Sequence, residues 1–375
     1  ALLITSRKQI KWEWFGDAFN AGYCETPLVY EYAWSDVSVM GAPEVKEIHN
    51  LETQLTPTTS MALHLRYWDL AWNGIKYANT VISRVPKSTI DNETDKNELL
   101  AEGYFHRAYW YYLLVNQWGD VPLLLEEITE PKLDFYTVSR MKILQQMKTD
   151  MEFAVKWLPK NVKPGCVNRA AGEHLLAKIY PVSYTHLTLP TRCINDYGLH
   201  LMKERFGVNA EDASLDVFND LFQEDNISSS ENKEAIFVVQ ERYGIEGNVA
   251  PNGSARMRNF VPYWCNGAAV KTPDGKPGTT YDAGPYDGYE WVEKLGRGIA
   301  KIRPTNYSQY AIWGKCGNDL RHNENNWFDI SRLKYNRPAS KGGSATYFGT
   351  PVQRSFVTDT MRCYFSFPIV KVLID

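Results

Sequence analysis

Cysteine is sparse in this chain and never closely spaced. The six stand at positions 24, 166, 193, 265, 316 and 363 of 375 residues, with no CxxC pair. A structural zinc site is therefore not expected, since its thiolates come in short-spaced pairs. A disulfide framework suits chains too short to build a core, and this one is long enough for a sizeable core. Buried or free thiols fit better, with room for one bridge. Long apolar runs are missing too: none approaches the ~20 residues a membrane-spanning helix needs. Nor is there a large excess of one charge. The formal net charge is −3, so no basic field points to nucleic acid. The seven His show no HExxH or other metal spacing. No Gly-rich phosphate loop and no GxSxG elbow occurs. "TPDGKPG" (272–278) lacks the alternating oxygen ligands of a calcium loop. No cofactor and no metal are expected.

What the chain does have is rings. Aromatics make up 13% of it, with 12 Trp and 23 Tyr. Hydrophobic residues at 44% and charged residues at 23% match a globular protein. Apolar periodicity predicts helices over much of the first two-thirds. Residues 62–84 space Leu65, Trp68, Trp72, Ile75, Asn79 and Ile82 by three and four, and Pro86 follows as a stop. A second helix is predicted over 97–118, with Ala101, Tyr104, Phe105, Ala108, Tyr111, Tyr112 and Val115 inward and Gly119 at its C-terminal end. "DVPLLLEE" then reads as a short extended segment. A third helix, over about 139–158, faces inward with Ile143, Met147, Met151, Ala154 and Leu158. A fourth starts after Asn168, a suitable N-cap, with Ala171, Leu175 and Ile179 inward. Amphipathic helices joined in pairs by modest loops imply a mainly α fold of tetratricopeptide-like hairpins, although the strict repeat consensus is absent. Two regions are expected: a helical scaffold over 1–242 and an irregular, loop-rich region over 243–375. The second contains "NGAAVKTPDGKPGTTYDAGPYDGYEW", dense in Gly, Pro, Asp and aromatics. Just before the boundary, "EAIFVVQERY" is the best strand candidate.

Several stretches, in order, resemble one family. "AEGYFHRAYWYYLLVNQWGDVPLLLEE" is similar to the hallmark helix and following segment of the SusD/RagB proteins, outer-membrane nutrient-binding lipoproteins of Bacteroidetes. "WDLAWNGIKYANTVISRVP" precedes it; "DMEFAVKWLP", "AAGEHLLAKIY", "NKEAIFVVQ", "IRPTNY" and "GNDLRHN" follow. Each is loose alone, but the ordered series is specific. The resemblance implies a surface-exposed outer-membrane protein that captures glycan and delivers it to a SusC-like TonB-dependent transporter, without catalysis of its own. It also implies a membrane link through a lipid anchor on a segment outside this chain. With no lipobox in view and an end at "FPIVKVLID", the chain reads as a C-terminally truncated fragment.

One stretch breaks the pattern. Val182 to Thr191, "VSYTHLTLPT", reads as a translated sequencing-library adapter standing where relatives have the partner helix of a hairpin. Loss of that partner is expected to expose Leu175 and Ile179. At about 1.5–3 kcal/mol for each apolar side chain left uncovered, the chain would be poorly stable.

Glycan recognition combines flat rings over apolar sugar faces with polar anchors for the hydroxyls. The densest such mixture is Tyr263, Trp264, Asn266, Tyr281, Asp282, Tyr286, Asp287, Tyr289 and Trp291. The 34–59 loop adds Trp34, Asp36, His49 and Asn50. None matches a position-specific family motif, so no family ligand residue is carried over. Asp282, Asp287 and Glu290 could supply the paired carboxylates of a glycosidase, but no enzyme is expected, because loop spacing does not set a separation in space. Tyr109, Trp110, Tyr111 and Tyr112 surround a helix and are read mostly as scaffold packing, although an outward Trp110 could touch the transporter. Asp319 and Arg321, between Trp313 and Trp327, are read as a structural ion pair rather than a ligand clamp. The alternative function is a helical protein-interaction scaffold that binds no sugar.

Overall fold

The computed structural model describes residues 2–14, 33, 35–41, 62–183, 196–240, 259–281 and 295–369. Its longer elements are helices: α1 (Leu2–Trp14), α2 (Ala62–Arg84), α3 (Glu93–Trp118), α4 (Arg140–Trp157) and α5 (Arg169–Ser183). Strands among the described residues are two or three residues long and pair as antiparallel ladders. They are β1 (Ser38–Met40) with β4 (Ile302–Pro304), β2 (Val121–Pro122) with β3 (Thr137–Val138), and β5 (Trp327–Phe328) with β6 (Phe367–Pro368). The fold is mainly α.

Two compact units result. One comprises Ala1–Glu13, His64–Lys203 and Ile227–Glu241; the other comprises Trp14–Leu63, Glu204–Asn226 and Arg242–Asp375. In this division 14–63 and 204–226 group with the C-terminal region.

The first unit is a series of packed helices with local causes for each end. α3 starts earlier than its apolar period does, because Asn92 caps it: the side-chain oxygen accepts from Thr94 N (2.8 Å) and Asp95 N (3.3 Å). Glu93 and Asp95 in the first turn suit the positive helix end. Gly119, at φ 74°, ends the helix as expected, its N–H donating to Val115 O. Asn168 caps α5 by accepting from Ala171 N at 2.8 Å. Close approach of α2 and α3 depends on glycine. A Cβ on Gly74 would lie 2.2 Å from Trp110 Nε1, and one on Gly103 would lie 3.1 Å from Val81 Cγ1.

A buried polar knot ties these helices together. Arg107 of α3 forks onto Asp150 of α4 (Nε–Oδ2 2.7 Å, Nη2–Oδ1 2.8 Å), and both side chains are buried. Arg107 Nη1 also donates to Asn79 Oδ1 of α2 and to Leu125 O, while Gln146 Nε2 donates to Asp150 Oδ1. The Asn in an otherwise apolar face of α2 thus has a polar partner.

Four expectations are corrected. Leu65 is 50% exposed, because the buried face of α2 is set one residue round, on Tyr67, Leu70, Ala71, Ile75, Ala78 and Val81. Trp110 is wholly buried, seated against Gly74, so it presents nothing outward. Leu175 and Ile179 are buried, with α4 packed along α5, so the expected exposure and its cost do not arise at these residues. The strand candidate does not form over its described part, 234–240: Asn168 Nδ2 holds the Ile236 carbonyl and Phe237 lies edge-on to Phe105, and no ladder pairs with it. The adapter-like stretch lies outside the described residues beyond Ser183.

The second unit is built from loops and single turns around an apolar core. Val261, Trp264, Val270, Phe328, Leu333, Tyr335, Phe365 and Phe367 form its centre. With short ladders, side chains satisfy many backbone groups: Asp329 accepts from Ser331 N, and Asn336 brackets Thr280 through both its N–H and C=O. Tyr335 Oη donates to Lys271 O and accepts from Gln353 N.

Candidate functional site

The described part of the second unit brings exposed rings together on one segment, 302–322. Its anchor is the β1–β4 ladder, in which Val39 pairs with Arg303. Thr305 N donates to Val37 O, and the Thr305 hydroxyl donates to Asp36 O. A π-helical turn, Tyr307–Ala311, follows. Its inward residue is Gln309, buried between Pro304 O, to which it donates, and Ser366 N, from which it accepts. With Gln309 inside, Tyr307 and Tyr310 are left 52% and 57% exposed.

The chain then turns so that Trp313 donates its indole N–H to Ser308 O at 2.8 Å. The Trp313 ring stacks on His322, with centroids 4.6 Å apart and planes 19° from parallel, and Trp327 meets it edge-on at 5.4 Å. Arg321 lies over Trp313 at 5.8 Å and forks onto Asp319, with Nε–Oδ1 at 2.8 Å. That fork holds the Asp319 carboxyl down to about 2. Burial pushes the His322 imidazole below its ordinary value, against the pull of Asp329 and Asp319. A neutral His stacked on Trp313 at ordinary pH agrees with that direction. The arrangement matches the expected ion pair.

The other expected residues divide three ways. Trp264 is 0% exposed and donates its indole N–H to Gly296 O at 2.9 Å. Its ring belongs to the core, so the expectation that it faces a ligand is corrected. Tyr263 is half-buried beneath the Arg362 guanidinium, 5.3 Å from the ring centre. Asn266 is half-buried and turns its side-chain oxygen to Ala268 N, while Tyr281 and Asp36 are exposed. Trp34, His49, Asn50, Asp282, Tyr286, Asp287, Tyr289, Glu290 and Trp291 lie outside the described residues. The Asp of "TPDGKPG" is occupied by the protein itself: the Thr272 and Ser344 hydroxyls donate to Asp274. Among the described residues no cluster of His, Cys, Asp or Glu could hold a metal ion.

Comparison with known proteins places this fold. A family model described as "SusD-like_3: Starch-binding associating with outer membrane" matches residues 26–180. A curated relative, SusD-like protein P2 of Formosa agariphila, is 27% identical over 118 residues, 30% of this chain and 23% of that protein's length. Among solved structures, a laminarin-binding SusD-like protein superposes with a TM-score of 0.61 at 17% identity, covering 96% of this chain and 70% of its own. A SusD superfamily protein from Bacteroides vulgatus gives 0.60 at 18%, covering 98% and 66%. The chain matches the SusD-like family model over residues 26–180 and shares the fold of these SusD-like structures. Surface glycan-binding protein A from Bacteroides thetaiotaomicron, solved with laminarihexaose, gives 0.60 at 16% identity over 88% of this chain and 62% of that one.

For this SusD-like chain, residue-type counting missed Tyr307, Tyr310 and Arg303. A signal was present: Tyr307, Tyr310 and Trp313 recur every third residue in "NYSQYAIW", which overlaps the end of the "IRPTNY" motif. That spacing brings successive rings within one helical turn of each other.

Proposed function

We propose that this protein binds glycan at the surface of the outer membrane and passes it to a SusC-like TonB-dependent transporter. The observation that carries the reading is the exposed Tyr307–Tyr310 pair beside the Trp313–His322 stack, on a chain with a SusD-like fold. Flat rings with an accessible face cover the apolar side of a sugar, and neighbouring guanidinium groups donate to hydroxyls. The relatives solved with laminarin-type and xylogluco-oligosaccharides support glycan as the ligand class. The family description supports the outer membrane as the place. The protein would be held there by a lipid anchor and would carry out no catalysis. Tyr286, Asp287, Tyr289, Trp291, Trp34 and Asn50 remain proposed contributors alongside these rings. We retain Tyr263 and Asn266 as rim residues.

The test is affinity electrophoresis of the full chain through gels containing a panel of polysaccharides. At least one should retard it, and Tyr310→Ala should weaken that retardation about tenfold, as loss of a stacked ring worth roughly 1–1.5 kcal/mol implies. A panel with no retarding polysaccharide would overturn the reading. One feature favours the alternative scaffold role. The loop between β2 and β3 exposes Ile128, Leu133, Phe135 and Tyr136, Leu133 at 98%. Such a loop suits a protein partner, and delivery to a transporter needs one as well.

A further inference from the structure

The stack of His322 on Trp313 stands on a stretch with little backbone support of its own. Between Trp313 and Trp327 the chain forms two single turns, Trp313–Lys315 and Leu320–His322, and joins no ladder. Residues 314–318 are exposed. Order in such a run comes from side-chain bonds, and here they reach a segment 107 residues earlier in the chain. The half-buried Asp216 carboxylate is the hub. Its Oδ1 caps the short helix Val217–Asp220 by accepting from Asn219 N at 3.0 Å. Its Oδ2 accepts from Asn323 Nδ2 and, at 2.7 Å, from Asn326 Nδ2. Asn326 is 0% exposed. Its Nδ2 also donates to Leu320 O at 2.8 Å, and its Oδ1 accepts from Asn219 Nδ2 at 3.1 Å. Asn325 Nδ2 donates to Ser214 O. The turn that carries His322 is therefore gripped at both ends, at the Leu320 carbonyl and at Asn323. The hub is itself bolted down. Arg205 Nη1 donates to the Asp212 and Leu215 carbonyls at 2.7 and 2.8 Å, and Arg205 forks onto buried Asp220 with Nε–Oδ2 at 2.6 Å.

We infer that Asp216 is a positioning residue for the glycan site: through Asn323 and Asn326 its carboxylate fixes the turn that lays His322 flat on Trp313. This rests on the glycan-binding reading and adds to it a group that acts without touching the sugar. His322 is exposed with one face against Trp313, and the clamp determines where its other face is presented. A ring fixed beforehand loses no rotamer freedom when a sugar arrives, so affinity rises without a new contact. Two carboxamides donating to one charged oxygen form charge-assisted bonds, stronger than bonds between neutral groups.

Asp216→Ala in the full chain tests this by two readouts. The first is the His322 ring signal in the nuclear magnetic resonance spectrum of protein carrying isotope-labelled histidine, identified by its absence from His322→Gln. The Trp313 ring current displaces that signal in the wild type, and Asp216→Ala should return it toward the position of an exposed histidine. The second is affinity electrophoresis through gels of laminarin and of xyloglucan. Retardation should weaken about fivefold, the cost of ordering one or two side chains on binding. Asn323→Ala spares the cap on Asn219 N, should shift both readouts the same way by less, and serves if Asp216→Ala does not fold. Asp359→Ala is the comparison. It removes a like cap, the bond from Arg362 N, from the short helix Thr360–Cys363 of the same unit. It should lower stability and leave both readouts unchanged. An unmoved His322 signal in the clamp variants, or a moved signal with undiminished retardation, overturns the role while leaving glycan binding intact. Equal weakening by Asp359→Ala overturns it too, since lost stability would then account for the effect. If neither polysaccharide retards the wild type, the role in binding is overturned and the result counts against the glycan reading as well.

Discussion

Removing Asp150 should be among the costliest single changes in the helical unit, and removing Arg107 along with it should restore much of the loss. Asp150 takes two bonds from the Arg107 fork and one from Gln146, at 2.7, 2.8 and 3.0 Å. The side chains of the pair are 4% and 3% exposed, so water cannot replace a missing partner. In Asp150→Leu the guanidinium keeps only Asn79 Oδ1 and the Leu125 carbonyl, both uncharged acceptors. An uncompensated buried charge costs about 3–5 kcal/mol, a large part of a typical stability of about 5–15 kcal/mol. At about 2–4 °C per kcal/mol for a domain of this size, the midpoint should drop by roughly 6–20 °C. Arg107→Leu combined with Asp150→Leu leaves no unpaired charge. The double variant should then lie closer to the wild type than the Asp150 single, since apolar replacements of buried pairs are often neutral. Thermal unfolding and urea titration of the four proteins measure this coupling directly. A double variant at least as unstable as the worse single would refute the argument, and would place the stability in packing of the Arg107 stem against Tyr104, whose ring centre lies 5.1 Å from the guanidinium.

Other outcomes follow from individual contacts. Burial alone would raise the Glu102 carboxyl, but the Arg7 fork and His106 reverse that and hold it below its ordinary value of 4.5. A depressed folded-state value stabilises above the unfolded pKa and is lost as pH falls through the folded one, so stability should decline below about pH 4.5. Urea titration across that range should show a shallower acid decline for Glu102→Gln; equal declines would remove Glu102 as a cause. Gly74→Ala forces a methyl against the Trp110 ring and should cost about 1–3 kcal/mol in urea titration, partly recovered by shrinking the ring with Trp110→Phe. The Cys363 thiol, pushed up to about 12 chiefly by burial, should resist alkylation in the native protein while exposed Cys316 reacts. Mass spectrometry after a timed iodoacetamide pulse reads both sites, and equal labelling would place Cys363 at the surface.

Spacing alone made α2 to α5 legible, while α1 went unread. Apolar residues three and four apart placed α2 at its observed ends and α4 and α5 within a residue or two at their starts, because a helix is a local structure whose period is written in its own residues. It failed where the signal was not apolar. The first turn of α3 is polar and held by the Asn92 cap, so periodicity began it four residues late. It failed again at "EAIFVVQ", since a strand needs a partner that its own sequence does not name.

The site divided along the same line. Composition pointed to rings in the loop-rich region, and there are rings at its surface. Which rings face out was decided by contacts between residues far apart in the chain. Trp264 and Tyr310 both sit in short polar-aromatic runs that look alike on paper. Trp264 is drawn inside by the Gly296 carbonyl and the core around Phe328, whereas Tyr310 is turned outward because Gln309 takes the inward place against Ser366. By itself the sequence determined the helices, their caps and the supply of aromatic and basic residues. Only the tertiary structure decided which of those residues are available to a ligand, because in a region without period each side chain's exposure depends on what the rest of the chain brings beside it.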